Sequence, residues 1–193
     1  GRSLGLRGLA ITDHNGLYGA VRFAEAAALH QMPTVFGAEF TLESKSARTD
    51  VEDPPGEHLL VLARGEEGYH TLSQALTQAH LASGEKGILE CDLDALADMG
   101  RDRWLILTGC RKGPLRAPLS PHRAPSQAEQ ERSEKALLSL VERFGPENVV
   151  VELFDHQHPL DSVHNDFLAS LALRHTLPTV VTGLVHYATP REA

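Results

Sequence analysis

Along this chain, short unbroken apolar runs alternate with stretches whose apolar residues recur every three or four positions. Residues 9–12 (LAIT) form the first apolar run and predict a buried strand. Leu17, Ala20, Val21, Ala24, Ala27 and Ala28 then fall at helical spacing and predict a helix over residues 17–30. Further strands are predicted at residues 33–40, 58–63 (HLLVLA), 104–108 (WLILT), 148–153 (NVVVEL) and 178–182 (PTVVT). Helices are predicted at residues 66–82, 93–99 and 161–175, the last with Phe167, Leu168 and Leu171 inward. Ser126 and Glu129 have the spacing of a capping box. The helix they start buries Leu137, Leu140, Val141 and Phe144 and stops at Gly145-Pro146.

Two polar segments interrupt this rhythm. Residues 41–57 end in Pro-Pro-Gly and predict a loop. Residues 111–127 carry Pro114, Pro118, Pro121 and Pro125, which forbid a regular helix there. Apolar strands separated by amphipathic helices imply an α/β fold, a mostly parallel sheet with helices outside it. About six βα units are legible and no linker divides them, so residues 1–193 are expected to form one domain. Periodicity alone leaves an open sheet and a closed barrel unresolved.

Composition narrows the function. Hydrophobic content of 41% and charged content of 23% suit a globular domain. No apolar run reaches membrane-spanning length, so no membrane partner is expected. The net charge of −8 makes the chain a poor unaided binder of a phosphate backbone. Cys91 and Cys110 lack CxxC spacing, and no secretion signal is visible, so a reduced, cytoplasmic setting is expected. The chain opens on Gly1 rather than Met and is expected to be part of something longer.

Eleven histidines stand against one Trp and three Tyr. Potential metal ligands recur at strand ends: His14 after the first strand, Glu39 in TVFGAEF, His58 opening HLLVLA, Cys110 after WLILTG, and His186 after TVVTGLV. Loop residues at the C-terminal ends of parallel strands converge on one rim. His58 starts its run, so it joins that rim only if its strand is offset or runs the other way. A His/Glu/Cys set suits Zn²⁺ or a similar ion, which lowers the pKa of bound water and neutralises a phosphoryl oxygen. Metal-assisted phosphoester hydrolysis is the chemistry this implies. Taken singly, each residue has an ordinary reading: a hydrogen-bonded loop His, a buried Cys, a capping Glu. Asp13 is read as a turn-former or a supporting neighbour of a ligand.

Other features are weaker. His156 and His158 in DHQH have chelating spacing but precede Pro159 in a polar loop. Arg111, Lys112, Arg116 and Arg123 could touch phosphate, although a solvated basic loop explains them better. Cys91 reads as core. No GxSxG elbow, GxxxxGK[ST] loop or GxGxxG fingerprint occurs, which removes serine-hydrolase, P-loop and dinucleotide-binding readings.

Taken in order, GLAITDHNGLYGAVRFAEAA, TVFGAEF, EHLLVLARGEEGYHTLS, AHLASGEKG, LILTGCRKG and VHYATP resemble the PHP domain (polymerase and histidinol phosphatase) of bacterial C-family DNA polymerases. These are the polymerase III alpha type, and AHLASGEKG and LTGCRKG are most similar to the error-prone, damage-tolerant branch. The resemblance implies a PHP-type distorted (β/α)7 barrel, here N-terminally truncated with the first strand missing. It implies that His14, Glu39, His58, Cys110 and His186 match metal positions for Zn or Mn/Fe, with Asp13 a supporting neighbour.

Three departures accompany the resemblance. The first-strand HxH pair of the family is absent. Leu184-Val185-His186 stands where the family has Asp-x-His, and Leu184 cannot bind metal. The segment after TGCRKG is proline-rich where the family continues as helix. An incomplete metal site therefore leaves two roles open for the domain, a phosphoesterase or a scaffold. Through the rest of a parent polymerase the partners implied are primed DNA and deoxynucleoside triphosphates. A sliding clamp and accessory damage-tolerance proteins are implied as well. The Mg²⁺ of nucleotidyl transfer (translesion synthesis, DNA repair) would be bound outside this chain. A stand-alone PHP phosphatase acting on a small phosphomonoester is the alternative.

Overall fold

Six strands hydrogen-bond in chain order into one sheet, β1 to β6. The computed structural model describes residues 1–42, 56–84 and 89–187. Most of the polar segment expected as a loop at 41–57 lies outside these residues. The strands are β1 (Leu9–His14), β2 (Thr34–Leu42), β3 (Glu57–Ala63), β4 (Trp104–Leu107), β5 (Val149–Leu153) and β6 (Thr179–Val181). The helices are α1 (Ala20–Leu29), α2 (Gly65–Ala82), α3 (Leu93–Gly100), α4 (Gln127–Phe144) and α5 (Asp161–Arg174). Residues 17–19 form the turn into α1 and not its first turn, because Asp13 Oδ2 accepts the Gly19 N–H at 2.6 Å and fixes the helix start there.

The sheet is parallel at β1/β2, β4/β5 and β5/β6. The expectation of a mostly parallel sheet needs one correction, because β3 is antiparallel to both β2 and β4. An apolar run reads the same in either direction, so LLVLA carried no signal of this reversal, and only His58 at its start pointed to it. The reversal brings the start of β3 level with the end of β2, pairing His58 with Thr41. Gly37 permits the close approach: a Cβ there would collide with the Val61 carbonyl on β3. Among the described residues β1 and β6 do not pair, so the sheet is open between its first and last strands.

The core lies between the sheet and helices α2 to α5. Phe40, Val61, Leu72, Trp104, Ile106, Leu137, Phe144, Val151 and Leu168 are all buried. Trp104 is fully enclosed and donates its indole N–H to the Gly68 carbonyl at 3.0 Å, leaving no unpaired polar atom on that ring. The capping box of α4 forms as predicted: the Ser126 N–H meets Glu129 Oε2 at 2.7 Å, and Arg123 clamps both Glu129 oxygens at 2.7 and 2.9 Å. The predicted inward residues of α5 hold, with Leu168 and Leu171 buried and Phe167 packed against the core edge.

The proline segment departs from a solvated loop. Leu115 is fully buried, Leu119 and Arg116 nearly so, and the Ser133 hydroxyl of α4 donates to the Leu115 carbonyl at 2.8 Å. Prolines exclude a helix but leave the chain able to fold back as successive turns onto the core, with main-chain polar groups satisfied by side chains.

Candidate metal centre

Strand register sets the site. His14 on β1 is the lateral partner of Glu39 on β2, so both side chains share one face. Thr41, two residues on, shares that face and lies opposite His58 on β3. Three strands thus deliver an imidazole, a carboxylate and a second imidazole to one spot. His14 Nδ1 lies 3.4 Å from Glu39 Oε2, and His58 Nδ1 lies 3.1 Å from Glu39 Oε1. The two imidazole rings meet edge to face, with centroids 5.0 Å apart. Donor atoms of His14, Glu39 and His58 all fall within 4.8 Å of one another.

Cys110, in the turn after β4, closes a fourth side. Its Sγ is 3.3 Å from Glu39 Oε1 and 3.7 Å from His58 Nδ1. The Lys112 N–H points at the same sulfur at 3.4 Å, which holds the turn in place. His58 is fully enclosed, and its own backbone N–H donates to the Lys112 carbonyl at 3.0 Å.

Electrostatics favour an ionised carboxylate at the centre. Burial pushes the Glu39 carboxyl up. The hydrogen bond from His58, the charges of His14 and His58, and the contact with Cys110 outweigh it, so the pKa ends below its ordinary value. An ionised Glu between two imidazoles and a thiol is the donor set of a Zn²⁺-class site. Ligands about 2.0–2.3 Å from a tetrahedral ion stand roughly 3.3–3.8 Å apart; the His14–Glu39, Cys110–Glu39 and Cys110–His58 separations of 3.4, 3.3 and 3.7 Å are of this size, and His58–Glu39 at 3.1 Å is a little shorter. The residues present therefore fit one such ion. His14, Glu39 and His58 would hold it, with Cys110 alongside through its contacts with Glu39 and His58, and when bound it would supply Lewis acidity and a water of lowered pKa.

Two candidates stand elsewhere. His186 is exposed, stacks loosely on Tyr187 with ring centroids 6.5 Å apart, and is outside the three-residue donor group. β6 ends at Val181, and the chain runs on without regular structure, with Leu184 in a left-handed turn at φ 41°. Asp13 spends its carboxylate on the N-terminus of α1.

Two site residues escape a reading by motif. Asn15, seen only as a turn, is fully buried at φ 54°. It accepts the Thr41 N–H at 2.8 Å, donates to the Thr41 hydroxyl at 3.0 Å, and its carbonyl lies 2.8 Å from His80 Nε2 on α2. It thereby fixes the chain leaving His14 against β2. Glu152, inside NVVVEL, is 2% exposed and accepts the Thr182 hydroxyl at 2.6 Å. Burial pushes its carboxyl up, nearby Glu39 adds to this, and the Thr182 bond opposes it. A lone acid within an apolar strand was the available signal.

The PHP domain profile matches residues 1–156. This chain belongs to the PHP domain family. An error-prone DNA polymerase of Mycobacterium tuberculosis is 54% identical over 187 residues, spanning 97% of this chain and 16% of that protein. An error-prone DNA polymerase of Cutibacterium acnes is 50% identical over 186 residues, spanning 96% and 16%. The chain thus spans about 16% of the length of these relatives. Among solved structures, a candidate metal-dependent phosphoesterase from Bifidobacterium adolescentis superposes with a TM-score of 0.56 at 14% identity, covering 98% of this chain and 81% of that one. At that identity the likeness concerns the PHP fold alone. It agrees with the distorted-barrel architecture expected for the family, of which six strands are described here.

Proposed function

We propose that this chain is the PHP part of an error-prone DNA polymerase, working in the cytoplasm. There it holds one transition-metal ion, Zn²⁺ or Mn/Fe, as a structural pin between β1, β2, β3 and the Cys110 turn. The observation carrying this reading is the convergence of His14, Glu39, His58 and Cys110 from four segments distant in sequence. A site built from separate strands ties them together when filled, because binding free energy becomes folding free energy. Identity of 54% to a polymerase from Mycobacterium tuberculosis supports the parent assignment. Primed DNA and deoxynucleoside triphosphates would then be substrates of the whole protein, with Mg²⁺ bound outside this chain. A sliding clamp and accessory damage-tolerance proteins would be its partners.

A structural pin is favoured over a multinuclear hydrolytic site because Leu184 supplies no ligand and His186 stands outside the donor group. The second reading, phosphoester hydrolysis, draws support from the phosphoesterase fold of the solved neighbour. One experiment separates them. Metal content of the full-length protein is measured beside His58→Ala, together with hydrolysis of a phosphodiester. About one ion per chain, lost in the variant, with no hydrolysis above background, is the expected result. Metal-dependent hydrolysis abolished by His58→Ala would establish the second reading, and absence of metal from the wild type would remove both.

A further inference from the structure

Directly after Cys110 in the chain, the proline segment folds over α5 and leaves a cavity of about 320 Å³. Arg111, Arg116, His158 and His164 line it, with Leu119 and Pro121 as apolar wall. Arg116 is only 4% exposed, yet no described partner meets its Nε. Its Nη2 donates to Asn165 Oδ1, and its guanidinium lies over Phe154, 4.0 Å from the ring centroid. His164, 8% exposed, likewise has no described partner at Nε2. Buried polar nitrogens are almost always paired, and leaving one unpaired is costly. Two of them on the walls of one cavity mark a place built for a ligand.

The charge of the cavity says which. Arg111 also stands over the Phe154 ring, 5.0 Å from its centroid, and holds both oxygens of Asp161 at 2.9 and 3.0 Å. Asp161 also accepts the N–H groups of His156 and His158 at 2.8 and 3.3 Å, so its capacity is taken up by the protein. Two guanidinium groups therefore meet Asp161, whose oxygens are already engaged, while Glu152, outside the cavity lining, acts on Arg116. Burial pulls Arg116 down to about 10, which leaves it a cation at neutral pH. Planar guanidinium groups match phosphate oxygens in geometry. The volume is at the small end of ligand pockets, which run from roughly 300 to 1,000 Å³, so a compact anion fits better than a whole nucleotide.

We propose that the cavity between the 111–121 segment and α5 is a binding site for a compact phosphate anion or terminal phosphomonoester, held by Arg111, Arg116 and His164. This goes beyond the metal reading and does not depend on it, since none of these three residues belongs to the metal donor set.

The test is calorimetric titration of the full-length protein with inorganic phosphate in EDTA, at constant ionic strength. EDTA removes metal-borne phosphate binding, so failure here and failure of the metal reading are separate results. The wild type is expected to bind with a Kd below about 1 mM. Arg111→Gln and His164→Phe should each weaken that binding at least about 10-fold, since the first removes a charged donor and the second removes the polar Nε2 that a protonated phosphate oxygen would meet. Arg22→Gln, on the exposed face of α1, should leave it unchanged. The Arg111 side chain is 42% exposed, so its variant keeps the test valid if His164→Phe fails to fold. Displacement of phosphate by a nucleoside monophosphate supports the monoester. Displacement only by an unphosphorylated oligonucleotide, equal binding by Arg111→Gln and wild type, or no binding at about 10 mM phosphate would each overturn the proposal.

Discussion

His14 and Glu39 sit side by side on neighbouring parallel strands, with His14 Nδ1 3.4 Å from Glu39 Oε2, and His58 meets the other oxygen of the same carboxylate at 3.1 Å. Glu39 is thus the hub of the site, and Glu39→Gln should damage it most. Loss of a supporting partner alone costs metal affinity about 10–100-fold, so loss of the charged hub should cost more than about 100-fold. Competition with a calibrated chelator measures this. An affinity within a few-fold of wild type would remove Glu39 from the ligand set.

The two cysteines should react differently. Burial pushes the Cys91 thiol up to about 12, so it has almost no thiolate at pH 8. Cys110 is half-buried and lies against Glu39 and His58. Alkylation of the folded protein should therefore leave Cys91 unmodified, and added Zn²⁺ should slow modification of Cys110. Mass spectrometry of the labelled peptides reads both outcomes.

The α4 capping box gives a pH dependence with a definite sign. The Arg123 guanidinium, the Ser126 N–H and the Ser126 hydroxyl hold the Glu129 carboxyl down to about 2 from the ordinary 4.5. A carboxyl lower in the folded than in the unfolded chain stabilises fully above the unfolded value. That contribution is lost as pH falls from 4.5 towards 2. The stability gap between wild type and Glu129→Gln in urea should be constant above pH 4.5 and close below it. At neutral pH, Ser126→Ala should cost about 1 kcal/mol through loss of the cap.

How far the sequence reached depends on what each signal encodes. The runs WLIL and VVVEL are buried strands because an apolar run of that length suits a sheet covered by helices, and they were legible as such. LAIT is a strand as expected but not a buried one: β1 is the edge of the sheet, with Leu9 and Ala10 exposed and the rest half-buried. The direction of β3 was not, since LLVLA is apolar throughout and looks alike from either end. Yet only the reversed direction carries His58 to Glu39, so a ligand at the start of its strand was itself the clue. Strand-end position pointed to His14, Glu39 and His58, whose donor atoms lie within 4.8 Å of one another, and to Cys110, which touches Glu39, but it pointed equally to His186, which stands apart. Convergence of the last segment is set by long-range packing after β6, which no local pattern records. The burial of Leu115 and Arg116 was hidden by four prolines, whose loop-forming signal is backbone chemistry and says nothing of tertiary burial.

Trp104 offers a test of the core. It is the single tryptophan of the chain and fully enclosed, against Phe40 and above Gly100, where a Cβ would collide with the indole. Gly100→Ala should therefore destabilise by about 1–3 kcal/mol through overpacking, and Leu72→Ala by about 2–5 kcal/mol through the cavity it leaves. Chemical denaturation followed by the emission of Trp104 checks both. A Gly100→Ala variant as stable as wild type would mean that the indole has room the structure does not show.

Asn15 couples stability to the metal centre. Its left-handed backbone at φ 54° is tolerated by Asn at little cost, and its side chain pairs twice with Thr41 at 2.8 and 3.0 Å. Asn15→Ala loses both bonds, leaves the buried Thr41 N–H unpaired and puts a Cβ of lower tolerance in the αL region. The sum should be about 2–4 kcal/mol. Asn15→Gly loses the same bonds but relieves the backbone, so it should be milder by about 1 kcal/mol. The difference between the two variants isolates the strain, and the loss common to both isolates the clamp on β2. Because His14 precedes this residue directly, both variants should also weaken metal binding, by about 10-fold or more, as loss of a supporting contact does. If both variants lose stability while metal affinity stays at the wild-type level, Asn15 holds the fold and does not position His14.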